Sequence, residues 1–318
     1  MKLVFIAAAL LVTLASASVR AEERRAALSG QRLVMTWVPP YALDPSFAQL
    51  KKTYGGAGPR NALTHLGLQF WVPTASGGLA RAARYGEISN ADIRRFRKWG
   101  DRHGVKVLLT VFNGEWGWDW ELARQAFGPG RKAFVAALVK EIQAQKLDGV
   151  DVDLEATEIT GTEEDRKKFA AFIRDLGAEL KARDKDLIVD SFSYIWNAPN
   201  TDWWPDLFPH VTGLVSMGYA DIGRDPPDGA GVWQSYAWQR AEAGKWAEKL
   251  LLGMPSWVDS WQGDTAAEQL DWVMPKKKKV GVAIWDAQMS APGWQSEAVW
   301  KRLRELREQA AGAEVAAR

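Results

Sequence analysis

The chain has 318 residues, with 41 Lys and Arg against 39 Asp and Glu, and it contains no cysteine. A charge so close to balance gives no reason to expect a nucleic acid or an anionic membrane as a partner. The lack of cysteine excludes thiolate nucleophiles and cysteine-ligated zinc, and a chain of this length can bury enough apolar surface to fold without disulfides.

The N-terminus predicts a secretory signal peptide over residues 1–21. Lys2 is followed by an apolar run, Leu3–Leu14, and then by small residues. This order is typical of signal peptides, and a run of about a dozen residues is too short to span a bilayer. We expect cleavage after Ala21, with Ala17 as the other acceptable site and a retained anchor as the alternative. The sequence therefore predicts a secreted or periplasmic protein that leaves the membrane after cleavage.

Eight short apolar runs in the rest of the chain predict β-strands. Most show little alternation of polar and apolar residues, which is typical of parallel strands covered on both faces. In chain order they are Arg32–Trp37, Leu63–Trp71, Lys106–Phe112, Gly149–Glu155, Leu187–Phe192, Val211–Met217, Leu250–Met254 and Val280–Trp285. Helical periodicity lies between most of them, over Ala91–His103, Lys132–Ala144, Glu163–Ala182, Tyr236–Glu248 and Ala298–Ala310.

Eight strands that alternate with helices indicate a closed (βα)8 barrel, the TIM-barrel architecture of the α/β class. We expect a single domain over residues 22–310, followed by a frayed, Ala-rich tail at 311–318. An open, doubly wound sheet is the alternative, but the first predicted strand is not followed by a glycine-rich phosphate loop.

The predicted fourth barrel strand, Gly149–Glu155, carries three carboxyls on one face. Because side chains alternate along a strand, Asp151, Asp153 and Glu155 all point into the barrel, about 6.6 Å apart along the strand. We call these three residues the carboxyl ladder. They cannot all ionise when buried together, so at least one pKa must rise. A protonated Glu155 at the carboxyl end of the strand, where barrel active sites form, predicts a general acid.

A cation site is the alternative interpretation of the ladder. Calcium loops, however, spread their ligands over a turn that contains glycine, whereas this segment alternates as a strand does. The three histidines, His65, His103 and His210, show no spacing typical of metal ligands. We therefore expect neither a metal nor a cofactor.

The segment 148–155, Asp-Gly-Val-Asp-Val-Asp-Leu-Glu, resembles the DGxDxDxE signature of family-18 glycoside hydrolases. That family includes chitinases and endo-β-N-acetylglucosaminidases. Met217-Gly218-Tyr219 is similar to the Met-x-Tyr element of the family, and Trp285 stands where the family has a tryptophan beneath the sugar. About 25 residues separate the seventh and eighth predicted strands, so we expect no α+β insertion of the kind found in some of these chitinases.

Two elements depart from the family pattern. Ala220 follows Tyr219 where the family often has aspartate, and Asp221 comes one residue later. The third predicted strand ends in residues 110–113, Thr-Val-Phe-Asn, in place of a Ser-x-Gly-Gly element. We expect these departures to affect contacts to the sugar chain more than the acid.

The resemblance implies a retaining hydrolase whose substrate supplies its own nucleophile, the 2-acetamido group. Glu155 would protonate the glycosidic oxygen, Asp153 would hold the acetamido N–H, and Asp151 would share a proton with Asp153. Tyr219 would bind the acetamido oxygen, and Trp285 would form an apolar floor beneath the sugar. The implied substrates contain β-1,4-linked N-acetylglucosamine, either chitin and chitooligosaccharides or the chitobiose core of N-glycans.

The chain contains 18 tryptophans, and packing in the core is expected to account for only part of them. An indole face can stack on the apolar face of a sugar ring. The residues that we expect to contact substrate are Trp285, Met217, Trp37, Asp221 and Trp116. Further tryptophans predicted at the mouth of the barrel are Trp71, Trp118, Trp120, Trp196, Trp203, Trp204, Trp257 and Trp261.

The leading hypothesis is therefore a monomeric hydrolase whose partner is an N-acetylglucosamine-containing glycan. The alternative is a catalytically silent, chitinase-like carbohydrate-binding protein. Such proteins typically lose the last glutamate or the middle aspartate of the signature, and this chain retains Glu155 and Asp153. A further alternative is a barrel hydrolase for a different sugar, with two carboxyls acting as an ordinary acid and nucleophile.

Overall fold

The computed structural model describes residues 32–157, 159, 161–218, 232–257, 267, 270, 271, 273 and 280–315. The predicted signal peptide, Tyr219, Asp221 and Trp261 lie outside these residues. Within the described ranges, no helix is both long and apolar enough to cross a bilayer.

Eight parallel strands close into a barrel, which confirms the predicted (βα)8 fold. The barrel strands are β1 (Val34–Val38), β2 (His65–Pro73), β4 (Lys106–Phe112), β5 (Gly149–Asp153), β6 (Asp186–Ser191), β7 (Gly213–Ser216), β8 (Leu250–Pro255) and β9 (Gly281–Trp285), and a ninth strand, β3 (Leu79–Arg81), lies beside them. Parallel pairing of β1 with both β2 and β9 closes the sheet. The short β3, which the sequence pattern does not predict, pairs antiparallel with the end of β2.

Helices cover the outside of the barrel. They are α1 (Leu43–Leu50), α2 (Pro59–Ala62), α3 (Asn90–His103), α4 (Trp120–Phe127), α5 (Arg131–Gln145), α6 (Glu163–Lys181), α7 (Trp204–Leu207), α8 (Val232–Ala243) and α9 (Glu297–Val315). Short 3₁₀ helices span Thr201–Trp203, Phe208–His210, Gly244–Lys249 and Pro292–Gln295. Capping boxes begin α3 and α6, where Ser89 and Thr162 accept backbone N–H bonds. The last helix, α9, continues into the segment that was expected to be a frayed tail.

The outward face of β5 packs against the helices. Val150, Val152 and Leu154 are fully buried in the same apolar core as Phe134 of α5 and Phe172 of α6. The two phenylalanine rings stack with their centroids 5.4 Å apart. Alternation then directs the other face of β5 into the barrel, as the sequence predicts.

Apolar side chains fill the middle of the barrel. Met35, Leu108, Ile188 and Leu251 belong to one buried cluster there. A Cβ at Gly149 would lie 2.1 Å from the carbonyl oxygen of Asp186, so this position requires glycine. In the part of the chain that the structure describes, the middle of the barrel is therefore a packed core.

An ion network closes the amino-terminal end of the barrel. The Asp186 carboxylate lies 3.0 Å from His65 Nε2 and 2.6 Å from Lys106 Nζ. Burial alone would raise the pKa of Asp186. The hydrogen bond with His65 and the charge of Lys106 more than offset it and hold the pKa well below its usual range. The network therefore stabilises the folded state through an ionised aspartate.

Asp186→Asn is expected to lower the free energy of unfolding by about 3 kcal/mol at pH 7, because it leaves a buried ion network incomplete. The folded-state pKa is lowered, so the stabilisation is complete above the unfolded-state pKa of about 3.9 and is lost as the pH falls through the folded-state value. In urea unfolding, the difference between wild type and variant should persist at neutral pH and shrink only in strong acid.

Glu179→Gln is the matched control, because it removes the carboxylate of a half-exposed pair with Arg183 on the surface. Such pairs contribute about 1 kcal/mol or less. Equal losses of stability in the two variants would contradict a special contribution from Asp186.

Candidate active site

A cavity of about 440 Å³ opens where the carboxyl ends of the barrel strands meet. Three buried carboxyls, those of Asp153, Glu155 and Asp190, line it together with aromatic side chains. A mostly apolar concavity of this size with a few polar groups is the usual form of a small-ligand site. The structure thus brings the upper part of the carboxyl ladder to a cavity, as the sequence predicts.

Asp151, the lowest carboxyl of the ladder, is fully buried. Its Oδ2 accepts hydrogen bonds from Trp37 Nε1 at 2.7 Å and from Thr110 Oγ1 at 2.8 Å. Burial raises the pKa of Asp151 to about 7, because the two hydrogen bonds oppose burial only in part and the charge of Asp153 adds to it. This carboxyl can therefore gain or lose a proton near neutral pH.

Asp153 and Glu155 form a carboxyl pair above Asp151. Gln69 Nε2 donates to Asp153 Oδ2 at 2.8 Å, and the buried carboxyls of Asp153 and Glu155 lie within hydrogen-bonding reach of each other. A hydrogen bond between two carboxyls requires a proton on one of them. Burial, and then the neighbouring Asp153, raise the pKa of Glu155 well above its usual range, so the proton resides mainly on Glu155.

The backbone of Glu155 is held by a side chain from the neighbouring strand. Asn113 Oδ1 accepts the N–H of Glu155 at 2.8 Å, and Asn113 Nδ2 donates to its carbonyl oxygen at 2.9 Å. The same Nδ2 also donates to the carbonyl oxygen of Asp119 at 2.9 Å, which ties the loop after β4 to the acid. Asn113 thus fixes the position from which the Glu155 side chain projects.

Residues 110–113 bear directly on the acid as well as on the cavity, which Phe112 lines; their predicted effect on sugar contacts stays a prediction. Thr110 bonds the lowest carboxyl of the ladder, and Asn113 holds the backbone of the highest. Sequence reasoning also missed Gln69, which bonds the middle carboxyl from β2. Thr110, Asn113 and Gln69 are polar residues on or just after predicted strands, and this position is the signal in the sequence that could have indicated a role at the site.

Two of the predicted substrate contacts lie at the cavity. Trp285 ends β9, and Met217 follows β7; both line the cavity beside the ladder. Trp37 is only 1 % exposed and donates to Asp151, so the structure connects it to the ladder. Its direct contact with substrate stays a prediction. Trp116 is 76 % exposed in the loop after β4, where the Arg84 guanidinium lies 5.3 Å from its ring centroid.

Other tryptophans divide between the mouth and the core. Trp118 and Trp257 line the cavity, and Trp196 is 58 % exposed. The expectation of a place at the mouth is wrong for four residues, which are buried: Trp71, Trp120, Trp203 and Trp204.

A bulge explains the position of Trp71. The register between β2 and β4 shifts between Gln69 and Trp71, so Trp71 pairs with Val111, a residue of the outward face. Its indole N–H reaches Glu141 of α5 at 3.2 Å. The extra residue, Phe70, thereby turns Trp71 away from the cavity.

Within the described ranges, no three histidine or acidic side chains are grouped so that they could hold a metal ion. The ladder carboxyls instead bond donors of the protein and one another.

The chain matches the sequence family described as Glycosyl hydrolases family 18 over residues 46–305. No curated protein matches it by sequence. Among solved structures, a chitinase from Chromobacterium violaceum ATCC 12472 is similar with a TM-score of 0.62 at 17 % identity, over 86 % of this chain and 98 % of that one.

Two further structures have the same fold. A chitinase from Bacteroides thetaiotaomicron has a TM-score of 0.63 at 17 % identity, over 88 % of this chain and 97 % of that one. The Bacillus cereus spore cortex-lytic enzyme SleL has a TM-score of 0.64 at 11 % identity, over 86 % and 74 %. These low identities support the fold alone. The family match spans most of the sequence and includes the carboxyl ladder, and the chain therefore belongs to glycosyl hydrolases family 18.

Proposed function

We propose that the protein is a retaining glycoside hydrolase that cleaves β-1,4 linkages of N-acetylglucosamine, in chitin and chitooligosaccharides or in the chitobiose core of N-glycans. The observation that carries the proposal is the pair of adjacent buried carboxyls, Asp153 and Glu155, that lines the cavity. Such a pair keeps Glu155 protonated near neutral pH, as a general acid requires. Family membership supports the class of reaction.

In the first step, Glu155 gives its proton to the glycosidic oxygen, and the bond from the anomeric carbon to that oxygen breaks. The carbonyl oxygen of the substrate's 2-acetamido group bonds to the anomeric carbon and forms an oxazolinium intermediate. Asp153 accepts the acetamido N–H and offsets the positive charge. In the second step, Glu155 takes a proton from water, which attacks the anomeric carbon and restores the acetamide with net retention.

Asp151, the lowest carboxyl of the ladder, supports this cycle because it can bind and release a proton. Asp151, with a pKa of about 7, can share a proton with Asp153 when Asp153 turns from Glu155 to the acetamide. The N–H of Trp37 and the hydroxyl of Thr110 favour the ionised form of Asp151. They offset burial only in part, which leaves the pKa near 7 and keeps both protonation states accessible.

The remaining predicted residues complete the proposed binding site. Trp285 and Met217 offer apolar surface to the sugar ring, and Tyr219 is proposed to bind the acetamido oxygen. Asp221 and Trp116 are proposed to contact the sugar chain farther from the cleaved bond. The predicted signal peptide supports action outside the cytoplasm, and we propose that the protein acts there as a monomer.

Glu155→Gln is expected to reduce release of reducing ends by at least about 100-fold, because the amide cannot serve as the acid. The measurement compares wild type and variant on chitooligosaccharides and on a high-mannose glycopeptide. Glu121→Gln, which removes an exposed carboxylate on α4, is the control and should retain the wild-type rate. If wild type cleaves neither substrate, the proposed function is wrong and a silent carbohydrate-binding protein is favoured.

Removal of the acetyl group from the substrate tests the source of the nucleophile. Fully deacetylated glucosamine oligosaccharides should be cleaved at a rate indistinguishable from background, because they lack the attacking carbonyl oxygen. Cleavage of both forms at similar rates would point to a carboxylate of the protein as the nucleophile and would contradict substrate assistance.

Asn113→Ala tests whether the Asn113 side chain positions the proposed general acid, Glu155. Loss of both bonds to the Glu155 backbone should lower kcat about 100-fold with little change in KM, because a small displacement of the acid misaligns proton transfer. Asn61→Ala is the control, since Asn61 also makes two backbone bonds but lies on α2. An unchanged kcat in a folded Asn113→Ala protein would refute the positioning role.

A further inference from the structure

A fourth carboxyl, Asp190, lies beside the carboxyl ladder and has no role in the mechanism above. It stands on β6 between the inward-facing Ile188 and Phe192, is 2 % exposed, and lines the same cavity as Asp153 and Glu155. It falls outside the signature segment, and sequence reasoning did not single it out. A buried carboxyl at an active site needs a physical reason, because its burial is costly.

Strand register brings Asp190 next to Asp153. Val152 of β5 pairs with Val189 of β6, so one further step along both strands places Asp153 beside Asp190. Neighbouring strands are about 4.8 Å apart. On the other side, β7 pairs Val215 with Asp190 and leads to Met217 at the cavity. Asp153, Asp190 and Met217 therefore follow one another around the rim.

The surroundings of Asp190 disfavour a charge on it. The titratable groups that face it from β5 and just beyond are the carboxyls of Asp151, Asp153 and Glu155, and β7 presents apolar side chains. Among the described residues that line the cavity, none is Lys, Arg or His. Burial, followed by the charges of the three ladder carboxyls, raises the pKa of Asp190 well above its usual range.

An uncharged Asp190 has an O–H to donate. Its Oδ1 is buried and has no hydrogen-bond partner in the part of the chain that the structure describes. Buried polar atoms are normally satisfied, so an orphan beside a cavity indicates a partner supplied by a ligand. Protonated carboxylic acids in apolar sites serve other enzymes as hydrogen-bond donors.

We propose that Asp190 is a substrate-contacting specificity residue that forms the floor of the pocket for the N-acyl group and donates a hydrogen bond to it. The inference rests on the proposed function, in which Asp153 accepts the N–H of the acetamide. The acyl group then extends from Asp153 over Asp190 toward Met217. These three neighbours provide an acceptor for the N–H, a donor that shares the acyl oxygen with Tyr219, and an apolar surface for the methyl group.

The first test is acyl specificity. Asp190→Ala should lower kcat/KM for N-acetyl chitooligosaccharides about tenfold, as loss of one hydrogen bond predicts, and Asp190→Asn, which keeps a neutral donor, should lower it less. The space left by Asp190→Ala should raise the ratio of kcat/KM for N-propionyl over N-acetyl substrate at least about fivefold. That ratio should not move in Asp190→Asn.

Asp286→Ala is the matched control, because Asp286 is a buried carboxyl next to Trp285 that is bonded by Gln288. Its acyl ratio should equal that of wild type. A larger loss in Asp190→Asn than in Asp190→Ala would show that Asp190 acts as a charge and would overturn the proposal. An unchanged acyl ratio in Asp190→Ala, with wild type active, would also overturn it while leaving the proposed function intact.

A second measurement does not require activity. Infrared difference spectra of wild type minus Asp190→Asn at pH 7 should contain the C=O stretch of a protonated carboxylic acid. Carboxylate bands in its place would overturn the proposal even if no substrate were cleaved. Failure of wild type to cleave any acetamido glycan, with the acid band present, would instead count against the proposed function.

Discussion

The close burial of Asp153 and Glu155 is the constraint on which the carboxyl end of the barrel depends. Carboxyls buried this closely can be tolerated only if some remain uncharged and the others receive hydrogen bonds. Among the described residues, Trp37, Thr110 and Gln69 donate hydrogen bonds to the two lower carboxyls. Burial and the neighbouring Asp153 raise the pKa of Glu155 well above its usual range, which makes Glu155 the group that retains the proton.

The pKa values of buried aspartates are shifted in opposite directions at the two ends of the barrel. At the amino-terminal end, Lys106 and His65 surround Asp186, and its pKa falls. At the carboxyl end, Asp151 meets only neutral donors and other acids, and its pKa rises. The ionised Asp186 stabilises the fold, whereas the raised pKa of Asp151 allows it to hold a proton near neutral pH. An apolar layer between them separates the two networks, so each can hold its own charge state.

Much of the fold and the centre of the candidate site could be predicted from the sequence. Alternation alone assigned Asp151 and Asp153 to the inward face, because a strand permits only two faces and the other was apolar. Gln69 and Asn113 could not be assigned roles, because their significance lies in which strand stands beside β5 and in what register. Asp190 was missed for the same reason. A single aspartate within a strand forms no sequence motif, and its role becomes apparent only when the residues beside it on neighbouring strands are known.

Phe70 is the extra residue of the bulge in β2, and the residues before and after it face different parts of the molecule. Gln69, before it, serves the carboxyl ladder, and Trp71, after it, packs under a helix. Strict alternation would have aimed the Trp71 indole at the space above Asp153. The bulge therefore leaves open volume in the cleft where a regular strand over the same residues would place a bulky aromatic. Width at this wall depends on the bulge, independently of the carboxyl ladder.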